Sequence, residues 1–81
     1  MHNNAAAVGF ATAIVADEHG VSFNVNDSTR VVVDPETLTH FMAPSTLAQV
    51  LARHLTEGRA IAVRGRKIED GIIEAREAVI L

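Results

Sequence analysis

Between positions 21 and 26 the chain reads Val-Ser-Phe-Asn-Val-Asn, and this strict alternation constrains the fold more than any other stretch. Successive strand side chains point to opposite faces, so Val21, Phe23 and Val25 share one face and Ser22, Asn24 and Asn26 the other. One face belongs in a core and the other in water. Asn26-Asp27-Ser28 ends the strand with short polar side chains that bond their own backbone, and Thr29 to Val33 follows as a β-branched strand.

The flanks supply material to cover the dry face. Upstream, Ala6 to Ala16 reads as a strand around Gly9, closed by the turn Asp17-Glu18-His19-Gly20. Downstream, Asp34-Pro35 reads as a helix start, with Pro35 where a missing N–H costs nothing; Pro44 keeps that helical turn short. An amphipathic helix is expected around 45–57. Thr46 and Gln49 have capping-box spacing, Leu47, Val50, Leu51, His54 and Leu55 share one side, and Gly58 is the stop. Phe10, Phe41 and His54 are all expected on the apolar side, as core or interface residues.

The tail from Arg59 to Leu81 reads as a hairpin or as a strand followed by a helix, since Glu74 to Ala78 has good helical propensity. Register favours the hairpin. A two-residue turn at Asp70-Gly71 sets Ile61 opposite Ile80, Val63 opposite Ala78, Arg64 opposite Glu77, Lys67 opposite Glu74 and Ile68 opposite Ile73. A three-residue loop would oppose Arg64 to Arg76 instead. In the favoured register Arg66 and Arg76 have no directly opposed carboxylate.

Eighty-one residues make one small domain, 1–81, with 1–5 as a flexible lead-in. Such a domain buries roughly 60% of its unfolded surface. Hydrophobic residues at 48% against 21% charged leave too little polar surface to cover every face, which points to self-association. A net charge of −3 argues against coating nucleic acid by bulk electrostatics. Residues 1–52 carry a net −4 and residues 53–81 a net +1, so only the C-terminal third can present positive charge. The absence of cysteine excludes disulfides and thiolate zinc sites and suits the cytoplasm. The apolar run Ala5 to Ala16 has no Lys or Arg before it and falls short of a span, so neither a signal peptide nor a membrane segment is expected.

Three strands, a helix and two strands, a long first strand carrying a glycine, and the tail "GRAIAVRGRKIEDGIIEA" together resemble an OB-fold domain over nearly the whole chain. The expected fold is mainly β: a small five-stranded antiparallel OB-like barrel with one helix. The rival is an open antiparallel sheet with one helix, completed by dimerisation. The resemblance implies a single-stranded nucleic-acid or oligosaccharide surface on the second and third strands. It would comprise Ser22, Asn24, Asn26 and Arg30, with Val32 at its margin, joined by Arg64, Arg66 and Lys67. Stacking platforms are scarce there, since Trp and Tyr are absent and Phe23 sits on the dry side.

Chemistry finds no home in the residues. The four histidines, His2, His19, His40 and His54, form no helical ligand pair, although His40 and Met42 would suit a soft metal if extended. Glu69-Asp70 lies on a turn, where neighbouring carboxylates point apart, and the glycines are dispersed. The expectation is a non-catalytic binding or interaction module without metal or cofactor. It would act by protein association or self-assembly around Val79, Ile80 and Leu81, or alternatively on single-stranded nucleic acid.

Overall fold

The computed structural model describes residues 4–37 and 46–81. Among them are β1 (Asn4–Asp17), β2 (Gly20–Val25), β3 (Thr29–Val33), α1 (Leu47–His54), β4 (Ala60–Glu69) and β5 (Ile72–Ile80). The strands close into a barrel in the order β1-β2-β3-β5-β4, so the open-sheet alternative does not hold. Closure leaves no free sheet edge among these strands.

The expectation of an all-antiparallel barrel is also corrected, because β3 and β5 run parallel, with Arg30 opposite Ile72 and Val32 opposite Glu74. Parity requires it. Directions cannot alternate around a ring with an odd number of strands, so at least one neighbouring pair must run the same way. The connection through α1 and the β4–β5 hairpin delivers β5 beside β3 in that sense.

β1 closes the ring by serving two neighbours. Residues 4–10 pair with β4, from Asn4 opposite Arg66 to Phe10 opposite Ala60, and residues 11–17 pair with β2. Between Thr12 and Val15 the register shifts, and Ala13 takes a φ of 51°. A bulge of this kind bends a strand sharply enough to change partners. Its exposed amides find a distant acceptor: Ala13 N–H donates to Glu57 Oε2 at 3.2 Å and Ile14 N–H to Oε1 at 2.8 Å. Backbone bonds from Gly58 N to Ala11 O (2.7 Å) and from Ala11 N to Arg59 O (2.8 Å) fasten the same place. Glu57→Ala should cost about 1–2 kcal/mol, because two amides exchange a charged acceptor for water. In a chain this short the melting temperature should fall by roughly 5–15 °C, with Glu57→Gln recovering about half. Unchanged melting of both variants would show that the bulge does not depend on this carboxylate.

The core follows the alternation. Val21, Phe23 and Val25 are buried opposite Val33, Val31 and Thr29, and Ile61, Val63, Ile73 and Ala75 add the β4–β5 share. The capping box is present, with Gln49 N–H donating to Thr46 Oγ1 at 3.2 Å and Thr46 N–H to Gln49 Oε1 at 3.3 Å. Leu47, Ala48 and Leu51 of α1, with its C-cap residue Leu55, join the same core against β2 and β5.

Three helix expectations are corrected. The helix ends at His54 rather than 57, since Glu57, Gly58 and Arg59 are engaged with β1. His54 is exposed, because the buried row runs through Leu47, Leu51 and Leu55 and His54 lies on its flank. Asp34 caps a turn, accepting from Glu36 N–H at 2.8 Å, with no helix through Thr37; the rest of that segment, with His40, Phe41, Met42 and Pro44, lies outside the described residues. His2 does too.

The hairpin register holds at its base and at its turn but slips between. Ile61–Ile80, Val63–Ala78 and Arg64–Glu77 pair as expected, and Glu69–Ile72 flank the two-residue turn. In the middle Gly65 faces Ala75, Arg66 faces Glu74 and Lys67 faces Ile73. The expected Lys67–Glu74 and Ile68–Ile73 pairs are therefore absent. Arg76 on β5 and Ile68 on β4 are the extra residues of two compensating bulges, which add the twist that a closed barrel needs.

Candidate functional site

The expected binding residues fall on separate parts of the barrel. Asn24 and Arg30 are opposed in the β2–β3 ladder and face outward. The half-buried Arg30 guanidinium donates to Ser22 Oγ at 2.7 Å, to Asn24 Oδ1 at 2.9 Å and to the Ala13 carbonyl at 3.2 Å. Much of its hydrogen-bonding capacity thus goes into tying the β1 bulge to this face. Asn26, at a φ of 54°, lays its side chain over Gly9, where a Cβ would collide with it. Its Oδ1 accepts from Phe10 N–H at 3.2 Å and its Nδ2 donates to the Val8 carbonyl at 3.1 Å. Asn26 is a clasp on β1.

The basic tip lies elsewhere, because β5 stands between β3 and β4. Across the ladders Val32, Glu74 and Arg66 form one row, which puts Arg66 two strand spacings from β3, about 10 Å. Arg64 pairs with Glu77, Lys67 with Asp70 at 3.1 Å and Arg76 with Glu74 at 2.6 Å. Arg66 faces Glu74 in register, correcting the expectation that no carboxylate opposes it, yet among the described residues it makes no ion pair. The β1–β2 and β4–β5 turns bound opposite ends of the β2–β3 face, with the strand-end residues Asp17 and Glu69 beside them, Glu18 in the first turn and the Lys67-paired Asp70 in the second. Carboxylates at both ends repel a phosphate backbone.

A different surface gathers the exposed apolar side chains. The N-terminal half of β1, β4 and the C-terminal half of β5 are neighbours, with Val8 opposite Ala62 and Ala62 opposite Val79. In the next row Phe10 faces Ala60, whose carbonyl accepts from Leu81 N–H at 2.9 Å. Val8, Phe10, Val79 and Leu81 are 64%, 60%, 52% and 60% exposed, so two adjacent rows present large apolar groups to water. The bordering Arg64–Glu77 pair is self-neutralised.

Two expectations change with this face. Of Val79, Ile80 and Leu81, only Val79 and Leu81 project outward; Ile80 packs against the core. Phe10, expected inside, is outside. Its neighbours show why: the inward positions along β1 are Ala5, Ala7, Gly9 and Ala11, so small residues line the barrel there and the large ones turn out. That inverted alternation is legible in the sequence, and Val8 and Phe10 were reachable from it.

Among the described residues no group of three or more His, Asp or Glu is placed to hold a metal, and no helix is long and apolar enough to cross a membrane. The barrel is compatible with an OB-like fold. No family model matches the chain, and no curated protein matches it in sequence.

Proposed function

We propose that this protein is a non-catalytic interaction module of OB-like design that self-associates through the outer face of β1, β4 and β5. The observation that carries this reading is the pair of adjacent rows, Val8–Ala62–Val79 and Phe10–Ala60–Leu81, with four large side chains more than half exposed. Contiguous apolar surface on a small domain marks an interaction site. A closed barrel has no strand edge to offer, so association must use such a face. A cytoplasmic setting suits a chain without cysteine.

The test is charge placed on the face. Val8→Arg and Phe10→Arg should each shift the protein to monomer in sedimentation velocity while leaving its circular dichroism unchanged and lowering its melting temperature only by the concentration-dependent part that association supplies, since both side chains are mostly exposed in the single chain. Arg64→Glu, outside the two rows, should leave the mass as it was. Sedimentation unaffected by either apolar substitution would defeat the reading.

Single-stranded nucleic-acid binding is the second reading, favoured by the OB-like layout and by Arg66, which has no ion pair among the described residues. It ranks lower because carboxylates flank the β2–β3 face and Arg30 is held by three hydrogen bonds. It requires that a labelled oligothymidylate bind in a salt-dependent way and weaken on Arg66→Glu.

A further inference from the structure

Between α1 and the end of β5 runs a groove lined by Val50, His54, Arg59, Ala78, Val79 and Ile80. Its floor is apolar, His54 and Arg59 line it, and Arg53 lines the adjoining hollow that shares Val50 and His54 with it on the last turn of α1. None of its lining residues is a carboxylate, in a chain with ten carboxylates and a net charge of −3. Among the described residues, neither Arg53, His54 nor Arg59 forms an ion pair. Arg59 is held at the rim by a bond from its Nε to the Leu81 main-chain oxygen at 3.2 Å, and its terminal nitrogens make no hydrogen bond among the described residues.

We propose that this groove docks a short acidic peptide segment of a partner protein, its apolar side chains on Val50, Ala78 and Ile80 and its carboxylates on Arg53 and Arg59. Charge complementarity selects this occupant: desolvated apolar contacts supply the anchor, and the Arg53 guanidinium with the terminal nitrogens of Arg59 fixes orientation and rejects basic segments. The proposal rests on the reading of the protein as an interaction module but uses a surface that meets the self-association face at Val79 and where Arg59 bonds Leu81.

The full chain should be titrated into a fluorescein-labelled hexapeptide of alternating Glu and Leu, with a Lys and Leu hexapeptide as control. The acidic peptide should bind saturably, shift the amide resonances of Val50, His54 and Ala78, and bind about tenfold more weakly to the Arg53→Glu, Arg59→Glu double variant, as expected for lost and reversed charge pairs. The basic peptide should not bind. Equal binding of both peptides, binding of neither, or displacement of the acidic peptide by an oligothymidylate would overturn the proposal. So would loss of self-association in the double variant, because the occupant would then be a second copy. A Phe10→Arg monomer that still binds the acidic peptide separates the two surfaces. A wild-type monomer that does so sinks the self-association reading and leaves the groove standing.

Discussion

Gly65→Ala is expected to unfold most of the protein at temperatures where the wild type is intact. Gly65 sits where the β4–β5 register slips, opposite Ala75, and the Glu74 carbonyl oxygen occupies the space that a Cβ would need. The added carbon would also lie 2.8 Å from Glu74 C and 2.9 Å from Ala75 Cα, so backbone rather than a pliant side chain must move. Moving it separates the hairpin that closes the ring, at a cost above about 3 kcal/mol. A chain of 81 residues has on the order of 4–12 kcal/mol to lose. Gly58→Ala is the informative contrast: nothing lies within 4 Å of its Cβ, and only its φ of 80° opposes substitution. It should cost about 1–2 kcal/mol. Urea midpoints for the two variants give the comparison, and a Gly65→Ala midpoint at the wild-type value would mean that the strands are not in this register.

Phe23→Ala should destabilise the fold by about 3–5 kcal/mol, whereas Phe10→Ala, measured at a dilution where the chain is dissociated, should change stability by less than about 0.5 kcal/mol. Phe23 is fully buried between β-branched neighbours, and its loss leaves a cavity in a core too small to collapse around it. Phe10 is 60% exposed on the outer face. The two substitutions delete the same atoms, so in the dissociated chain the difference between their thermal midpoints reports burial. Similar losses at both sites would contradict the inward placement of Phe23 on β2 and the outward placement of Phe10 on β1.

Local pattern made the hairpin base, the β2 alternation and the Thr46–Gln49 cap legible in the sequence, because each involves residues close in the chain or a period that one strand sets by itself. What stayed hidden is what closure imposes. The parallel β3–β5 pair follows from an odd ring, which no single strand displays. Glu57 reaches amides 43 and 44 positions away, a contact that exists only once β1 has bent. The bulges do leave a trace in the sequence: inward residues on β5 change from Ile73 and Ala75 to Ala78 and Ile80, a switch of parity that needs one extra residue between them. Gly65 within a strand was a second trace. For the candidate site, residue type misled. Asn26 and Arg30 are polar and positive, yet both brace β1, and the contiguous exposed surface comes from Val8 and Phe10, whose strand points its small residues inward.

The most direct test of the account is the molar mass of the wild-type protein by multi-angle light scattering across a dilution series, beside Val8→Arg. Self-association through the β1–β4–β5 face predicts a mass of at least twice the 8.7 kDa chain at the higher concentrations, falling to the single-chain value in the variant. A wild-type mass of one chain throughout, in a protein that stays soluble, would contradict it.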